Sequence, residues 1–239
     1  MMEQKRLGII GGMGSKATAV FMDMLVEHTE AKRDQDHLDM VILNHASLPD
    51  RTEVIRSNEG ERFLNEVEKD IRLLEYAQVA NIAIPCNTSH FFHAQMQAMT
   101  NIPIIHIVEE TFKEICTRLE PGSRVGVLAT NGTMQSGIYR DACVKYGMEY
   151  YSLSDDLQQR VMDIIYLDVK RDNNVSPQKL EALINELVDL AHCQCIIIAC
   201  TELSCISIGD KTRPFCVDAM DVLVKRSIEL SGKRSVGWD

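Results

Sequence analysis

Three segments in the first half of this chain recur, in the same order, in the second half. GIIGGMGSKAT beginning at Gly8 resembles GVLATNGTMQS beginning at Gly126, 118 residues later. IAIPCNTSH around Cys86 resembles IIIACTELS around Cys200, offset by 114, and IPIIHIVEE at Pro103 resembles RPFCVDAMD at Pro214, offset by 111. Three matches at nearly one spacing predict two related halves, each ending a strand on a cysteine followed by polar residues. A pseudo-two-fold axis between such halves places the two cysteines as counterparts facing a shared cleft.

The local pattern gives the fold class. Short apolar runs with β-branched residues occur at Leu7–Ile10, Met40–Leu43, Ile82–Pro85, Ile104–His106, Arg124–Ala129, Glu149–Tyr151, Cys195–Ala199 and Phe215–Val217. Between them, helical periodicity covers Lys16–Lys32, Glu61–Tyr76, His90–Met99, Glu109–Leu119, Gly137–Tyr146, Leu157–Lys170, Pro177–Ala191 and Ala219–Leu230. Ser176 is the expected cap before Pro177. Strands alternating with helices require crossovers and hence mostly parallel sheets. The expected architecture is α/β, with a first lobe over 1–105, a second over 106–213, and 214–239 returning to the first.

Composition excludes several classes. The 239 residues are 45% hydrophobic and 25% charged, which is neither disordered nor low-complexity. A net charge of −10 disfavours nucleic acid and anionic membrane as partners, and 5% aromatic content leaves little for base stacking. No apolar run reaches the length of a membrane helix, and the glycines in MMEQKRLGIIGG break a signal-peptide pattern. Eight cysteines, mostly within apolar patterns, read as reduced thiols in a cytoplasmic protein.

Cys86 precedes Asn87, Thr88 and Ser89, and Cys200 precedes Thr201 and Glu202. Both thiols are expected at the carboxyl end of a parallel strand, on the loop entering a helix, where open α/β sheets bind ligands. Unpaired N–H groups at a helix start favour a thiolate. Cys116, Cys143, Cys193, Cys195, Cys205 and Cys216 read as small buried hydrophobes.

GGMG (Gly11–Gly14) with Ala17–Thr18, PCNTSH (Pro85–His90), ATNGT (Ala129–Thr133) and ACTEL (Ala199–Leu203) resemble the aspartate/glutamate racemase family, in its cofactor-independent aspartate racemase branch. The resemblance spans essentially the whole chain. It implies two pseudo-two-fold α/β domains with the site between them, motif cysteines on opposite sides of the substrate Cα, no pyridoxal phosphate, and a homodimer. Ser15 and Ser89 depart from the family's proline and alanine without removing a catalytic group.

Racemisation takes the Cα proton on one face and returns one on the other. Two groups are needed, and a thiolate with a thiol suffice. Carbanion stabilisation then falls to donors around the α-carboxylate. The candidates are Asn87, Thr88, Thr130, Asn131, Thr133 and Thr201 with their backbone N–H groups, and Met13 of the GGMG loop is assigned to the substrate site with them. By resemblance, Arg51 on a polar loop after the second strand and Lys170 at the end of DIIYLDVK match family cations that hold carboxylates. Glu202 could orient Cys200, bind the substrate ammonium, or cap a helix.

Other signals are weaker. Gly12–Ala17 fits a loose dinucleotide loop, but the second strand ends at Asn44 without an acidic residue for a ribose. Cys193, Cys195, Cys200 and Cys205 straddle an expected buried strand that points neighbouring zinc ligands apart. His90 and His93 lack a third ligand. The sequence therefore points to a racemase of aspartate or glutamate using Cys86 and Cys200, without cofactor or metal. The rivals are a related enzyme (maleate isomerase, hydantoin racemase or arylmalonate decarboxylase), a non-catalytic dicarboxylate-binding protein, and a disulfide redox protein.

Overall fold

The computed structural model describes residues 5–171 and 176–238. Strand β1 (Leu7–Gly11) lies between β2 (Met40–Asn44) and β3 (Asn81–Ala83), all parallel. In the second half β4 (Arg124–Leu128) lies between β5 (Glu149–Tyr151) and β6 (Cys195–Ile198), with β7 (Cys216–Asp218) beyond β6, again all parallel. The first sheet has a counterpart of β7 at the same place, shortened to one parallel bridge between Ile82 and Ile104. The strand expected at Ile104–His106 stops there because His106 already caps the next helix, its ring accepting from the Glu109 N–H. The two sheets thus repeat one strand order, as the recurring segments require.

Alternation along the strands builds three cores. Leu7 and Ile9 of β1, Val125 and Val127 of β4, and Cys195 and Ile197 of β6 face a central core. Helices α1 (Ser15–Glu27), α5 (Ile107–Ile115), α7 (Ile138–Lys145) and α10 (Ala219–Leu230) share it. Ile82, Ile84 and Cys86 face an outer core under α3 (Gly60–Tyr76). Ile196, Ile198 and Cys200 face a second outer core under α8 (Asp155–Asp163) and α9 (Pro177–Asp189). The period of two thus puts Cys86 and Cys200 on equivalent faces, while Cys195 points into the central core and away from Cys200. The repeated glycine has a matching role in both halves. A Cβ on Gly8 would meet Leu74 of α3 at 3.0 Å, and one on Gly126 would meet Ile196 of the neighbouring β6 at 3.0 Å and Leu187 of α9 at 3.4 Å, so both central strands are tightly packed at this position.

Several elements differ from their expected bounds. Helix α1 ends at Glu27, not Lys32, because residues 28–30 pair with the C-terminal tail: Val236 N–H donates to His28 O and Glu30 N–H to Arg234 O. The helix expected over His90–Met99 begins as a 3-10 turn, Thr88–Phe92, with α4 (His93–Ala98) after it. There Ser89 Oγ donates to Cys86 O at 2.7 Å and His90 Nδ1 lies 2.8 Å from the same oxygen, tightening the turn. The helix expected through Lys170 widens after Asp163 into a π-helical stretch, Ile164–Arg171. Ser176 occupies the cap position of α9, but its side chain makes no capping bond. Two six-residue helices, α2 (Arg51–Arg56) and α6 (Asn131–Ser136), are too short to show a period in the sequence.

The segment 214–239 divides between the two sheets. Its strand β7 completes the second sheet, because Ile196–Ile198 offer a free edge; only the helix that follows crosses over, α10 packing on α1, α5 and β3. At the far end of α10, Asn81 Nδ2 donates to Leu230 O at 3.1 Å. Among the described residues no helix is long and apolar enough to cross a membrane.

Candidate active site

Cys86 follows β3 and Cys200 follows β6, at the carboxyl ends of equivalent strands. Both thiols line one small pocket with Met13, Asp50, Arg51, Thr52, Asn87, Thr88, Thr130, Tyr166, Lys170, Ala199, Thr201 and Glu202. Ten of the twelve residues expected at the site from sequence therefore meet here. Asn131 and Thr133 do not line the pocket. Asn131 Oδ1 accepts from Gln158 Nε2 at 2.9 Å, and Thr133 stands one layer back. Its hydroxyl lies 2.8 Å from that of Thr88 and 3.2 Å from that of Thr130, which lies 3.1 Å from Thr88. These three buried hydroxyls join the two halves and fix the two threonines that reach the pocket.

Arg51 is not on a loop. It opens α2, behind the cap Asp50, whose carboxylate accepts from Glu53 N–H at 3.0 Å. Its guanidinium is buried, donating from Nη1 to Pro49 O at 2.9 Å, while Nε has no partner. Asn87 has the same character. Tyr139, on α7, donates its hydroxyl to Asn87 Oδ1 at 2.5 Å, which fixes the amide so that Nδ2 is the atom left buried and unpartnered. Two buried donors without acceptors cost about 1–3 kcal/mol each if nothing ever satisfies them. Their concentration in one pocket marks it as a place for an acceptor-rich ligand such as a carboxylate.

Cys200 donates its thiol proton to Glu202 Oε2 at 3.0 Å, and Lys170 Nζ sits 3.4 Å from the other oxygen, Oε1. Lys170 also lies over the Tyr166 ring, 4.5 Å from its centroid. Burial works against the Lys170 charge, but Glu202 first, and then Tyr166 and the two thiols, more than offset this and raise its pKa. Burial, reinforced by the Glu202 carboxylate, pushes the Cys200 thiol well above its ordinary value. This reverses the expectation of a thiolate favoured by a helix start. Only a turn and the 3-10 segment Leu203–Cys205 follow Cys200, so no long helix points its N–H groups at the sulfur.

Sequence reasoning missed Asp50, Thr52, Tyr166 and Ala199 in the lining. Tyr166 had a usable signal, lying four residues before Lys170 in the same motif. Tyr139 had none, because its link to Asn87 spans the two halves. Among the described residues no group of three or more His, Cys, Asp or Glu side chains could hold a metal ion.

The family model for Asp/Glu/hydantoin racemases matches residues 10–226. The chain belongs to that family. It is accordingly an enzyme of the isomerase class. It is 31% identical over 228 residues to the broad specificity amino-acid racemase RacX of Bacillus subtilis, covering 93% of this chain and 96% of that one. Among solved structures, the aspartate racemase of Picrophilus torridus superposes with a TM-score of 0.81 at 28% identity, covering 97% of this chain and 96% of that one. The glutamate racemase of Francisella tularensis in complex with D-glutamate shares the fold, with a TM-score of 0.65 at 20% identity, covering 95% of this chain and 81% of that one.

Proposed function

We propose that the protein interconverts the L and D forms of a dicarboxylic amino acid, aspartate or glutamate, with Cys86 and Cys200 as the two proton-transfer groups and no cofactor. One observation carries this reading: two cysteines at repeat-equivalent strand ends line a single pocket that also holds unpartnered buried donors. In each turnover one sulfur takes the Cα proton as thiolate while the other, as thiol, delivers its proton to the opposite face. The two then stand exchanged. The enediolate character that develops on the α-carboxylate is met by hydrogen bonds and cations already in place. Arg51 Nε and Asn87 Nδ2 are suited to this, with Thr88, Thr130 and Thr201 beside them and Met13 closing the wall. Lys170 serves the second carboxylate while held by Glu202.

The lobes 1–105 and 106–213, with α10 closing the first, are the proposed units on either side of the substrate. The eight free cysteines support a reducing, cytoplasmic setting, and the net charge supports a small acid over nucleic acid as partner. Homodimerisation is proposed on the family resemblance.

Incubation in D2O with each acid tests the reading. The expected result is deuterium at Cα together with loss of optical rotation, without added cofactor. Cys86→Ala and Cys200→Ala should each abolish racemisation, while one-sided exchange of a single enantiomer persists. Full racemisation by either variant overturns the assignment, and binding without exchange favours a dicarboxylate-binding protein. Because RacX is named for broad specificity, the same assay run on neutral and basic amino acids decides how far the dicarboxylate restriction holds.

A further inference from the structure

We infer that Glu202 makes the two thiols unequal in the resting enzyme, holding Cys200 as the proton donor and leaving Cys86 to be the waiting base. The inference rests on the two-thiol reading above and says which sulfur begins in which state.

The repeat makes the comparison direct. At the 114-residue offset that relates Cys200 to Cys86, the counterpart of Glu202 is Thr88. Thr88 is a neutral hydroxyl already engaged by Thr130 and Thr133. One sulfur therefore has a carboxylate at hydrogen-bond range and the other does not: among the described residues no carboxylate is hydrogen-bonded to Cys86. Solvent access does not separate them, since Cys86 is 4% and Cys200 5% exposed.

A thiol can donate to a carboxylate, but a thiolate facing that carboxylate at 3.0 Å would put two negative charges together in a buried site. Lys170 pairs with the far oxygen of Glu202 and acts on both sulfurs, so it softens the contrast without removing it. Of the other charged and titratable groups lining the pocket, the Asp50 carboxylate is turned to its own helix cap, Arg51 opens that helix, and Tyr166 lies against Lys170. The raised pKa of Cys200 agrees with this arrangement. In the first step the Cys86 sulfur accepts the Cα proton, the Cys200 S–H bond breaks toward the other face, and Glu202 remains a carboxylate throughout. The resting enzyme is thereby set for the enantiomer whose Cα–H faces Cys86.

The test needs no substrate. Free enzyme is treated with iodoacetamide near neutral pH, where a thiolate displaces iodide, and the modified peptides are followed by mass spectrometry. Cys86 should be alkylated at least about tenfold faster than Cys200, which takes somewhat more than the one unit of thiol pKa difference that makes the thiolate populations differ about tenfold. In Glu202→Gln, which keeps the shape and removes the charge, the Cys200 rate should rise about tenfold or more with the Cys86 rate little changed. Equal rates in the wild-type protein, or faster modification of Cys200, overturn the inference even if Glu202→Gln fails to fold. An unchanged Cys200 rate in a folded Glu202→Gln also overturns it. Failure of the D2O assay would remove the racemase reading and leave this labelling result standing by itself.

Discussion

Tyr139 does not itself line the pocket, yet it determines which end of Asn87 faces it. Its hydroxyl is itself buried, and burial raises its pKa far beyond the usual phenol range, so at any working pH it is a donor. Tyr139→Phe should leave Asn87 Oδ1 buried and unpaired. We expect a stability loss of about 1–3 kcal/mol in urea unfolding and a fall in kcat/KM with either enantiomer, because the amide can then turn its oxygen toward the substrate carboxylate. Unchanged kinetics would show that the amide is oriented by something else. At this scale the sequence was informative wherever chemistry sits in a local motif: Cys86, Asn87, Thr88, Cys200, Thr201 and Glu202 all reach the pocket from two short stretches. It was silent about Tyr139 and misleading about Asn131, because a side chain's direction in a loop is set by partners remote in the chain.

Helices α2 and α6 bring Arg51 and Thr130 together, and they meet at Gly132. A Cβ there would stand 2.6 Å from Thr52 Oγ1 and 2.7 Å from its Cα, so backbone has to move. Gly132→Ala should cost about 1–3 kcal/mol from overpacking, outweighing the roughly 1 kcal/mol that alanine gains in a helix. KM should rise as well, because α2 carries the arginine. A variant as stable as wild type in urea would mean the two helices separate freely. The longer helices were legible from periodicity, and their starts were better placed than their ends. The end of α1 depends on the tail that pairs beside it, a constraint that leaves no pattern in neighbouring residues. The repeat implied two copies of one arrangement, as the two sheets have, but the strand order itself was not legible in the sequence.

The central core draws residues from both sheets, so the two halves should unfold together. Trp238, the single tryptophan, stacks on His28 with ring centroids 4.1 Å apart and reports on the first sheet's side. Its fluorescence and the far-UV circular dichroism should trace one coincident urea transition; two separated transitions would show independent lobes. Stability should also respond to acid through His90, whose ring is buried between the Cys86 and Ile105 carbonyls. Burial, with nearby His106, lowers its pKa to about 3 from the usual 6.5. Between those values the unfolded chain binds the extra proton, so stability is full above about 6.5 and is lost as pH falls. His90→Asn keeps a donor near Nδ1 without a basic group. Relative to it, wild type should lose about 2 kcal/mol between pH 7 and pH 5. Comparing the two proteins removes the common contributions of His106, lowered to about 4, and of buried Asp218, raised to about 8 and acting in the opposite sense. Parallel curves would locate the acid sensitivity elsewhere. The crossing of α10 back onto α1 and β3 bears on how the molecule is made. On a ribosome the first sheet emerges early, but one of the helices that cover its inner surface, α10, is the last of the described helices to leave the exit tunnel. The earliest-built part of the enzyme must therefore wait with part of an oily side uncovered for nearly the whole of translation.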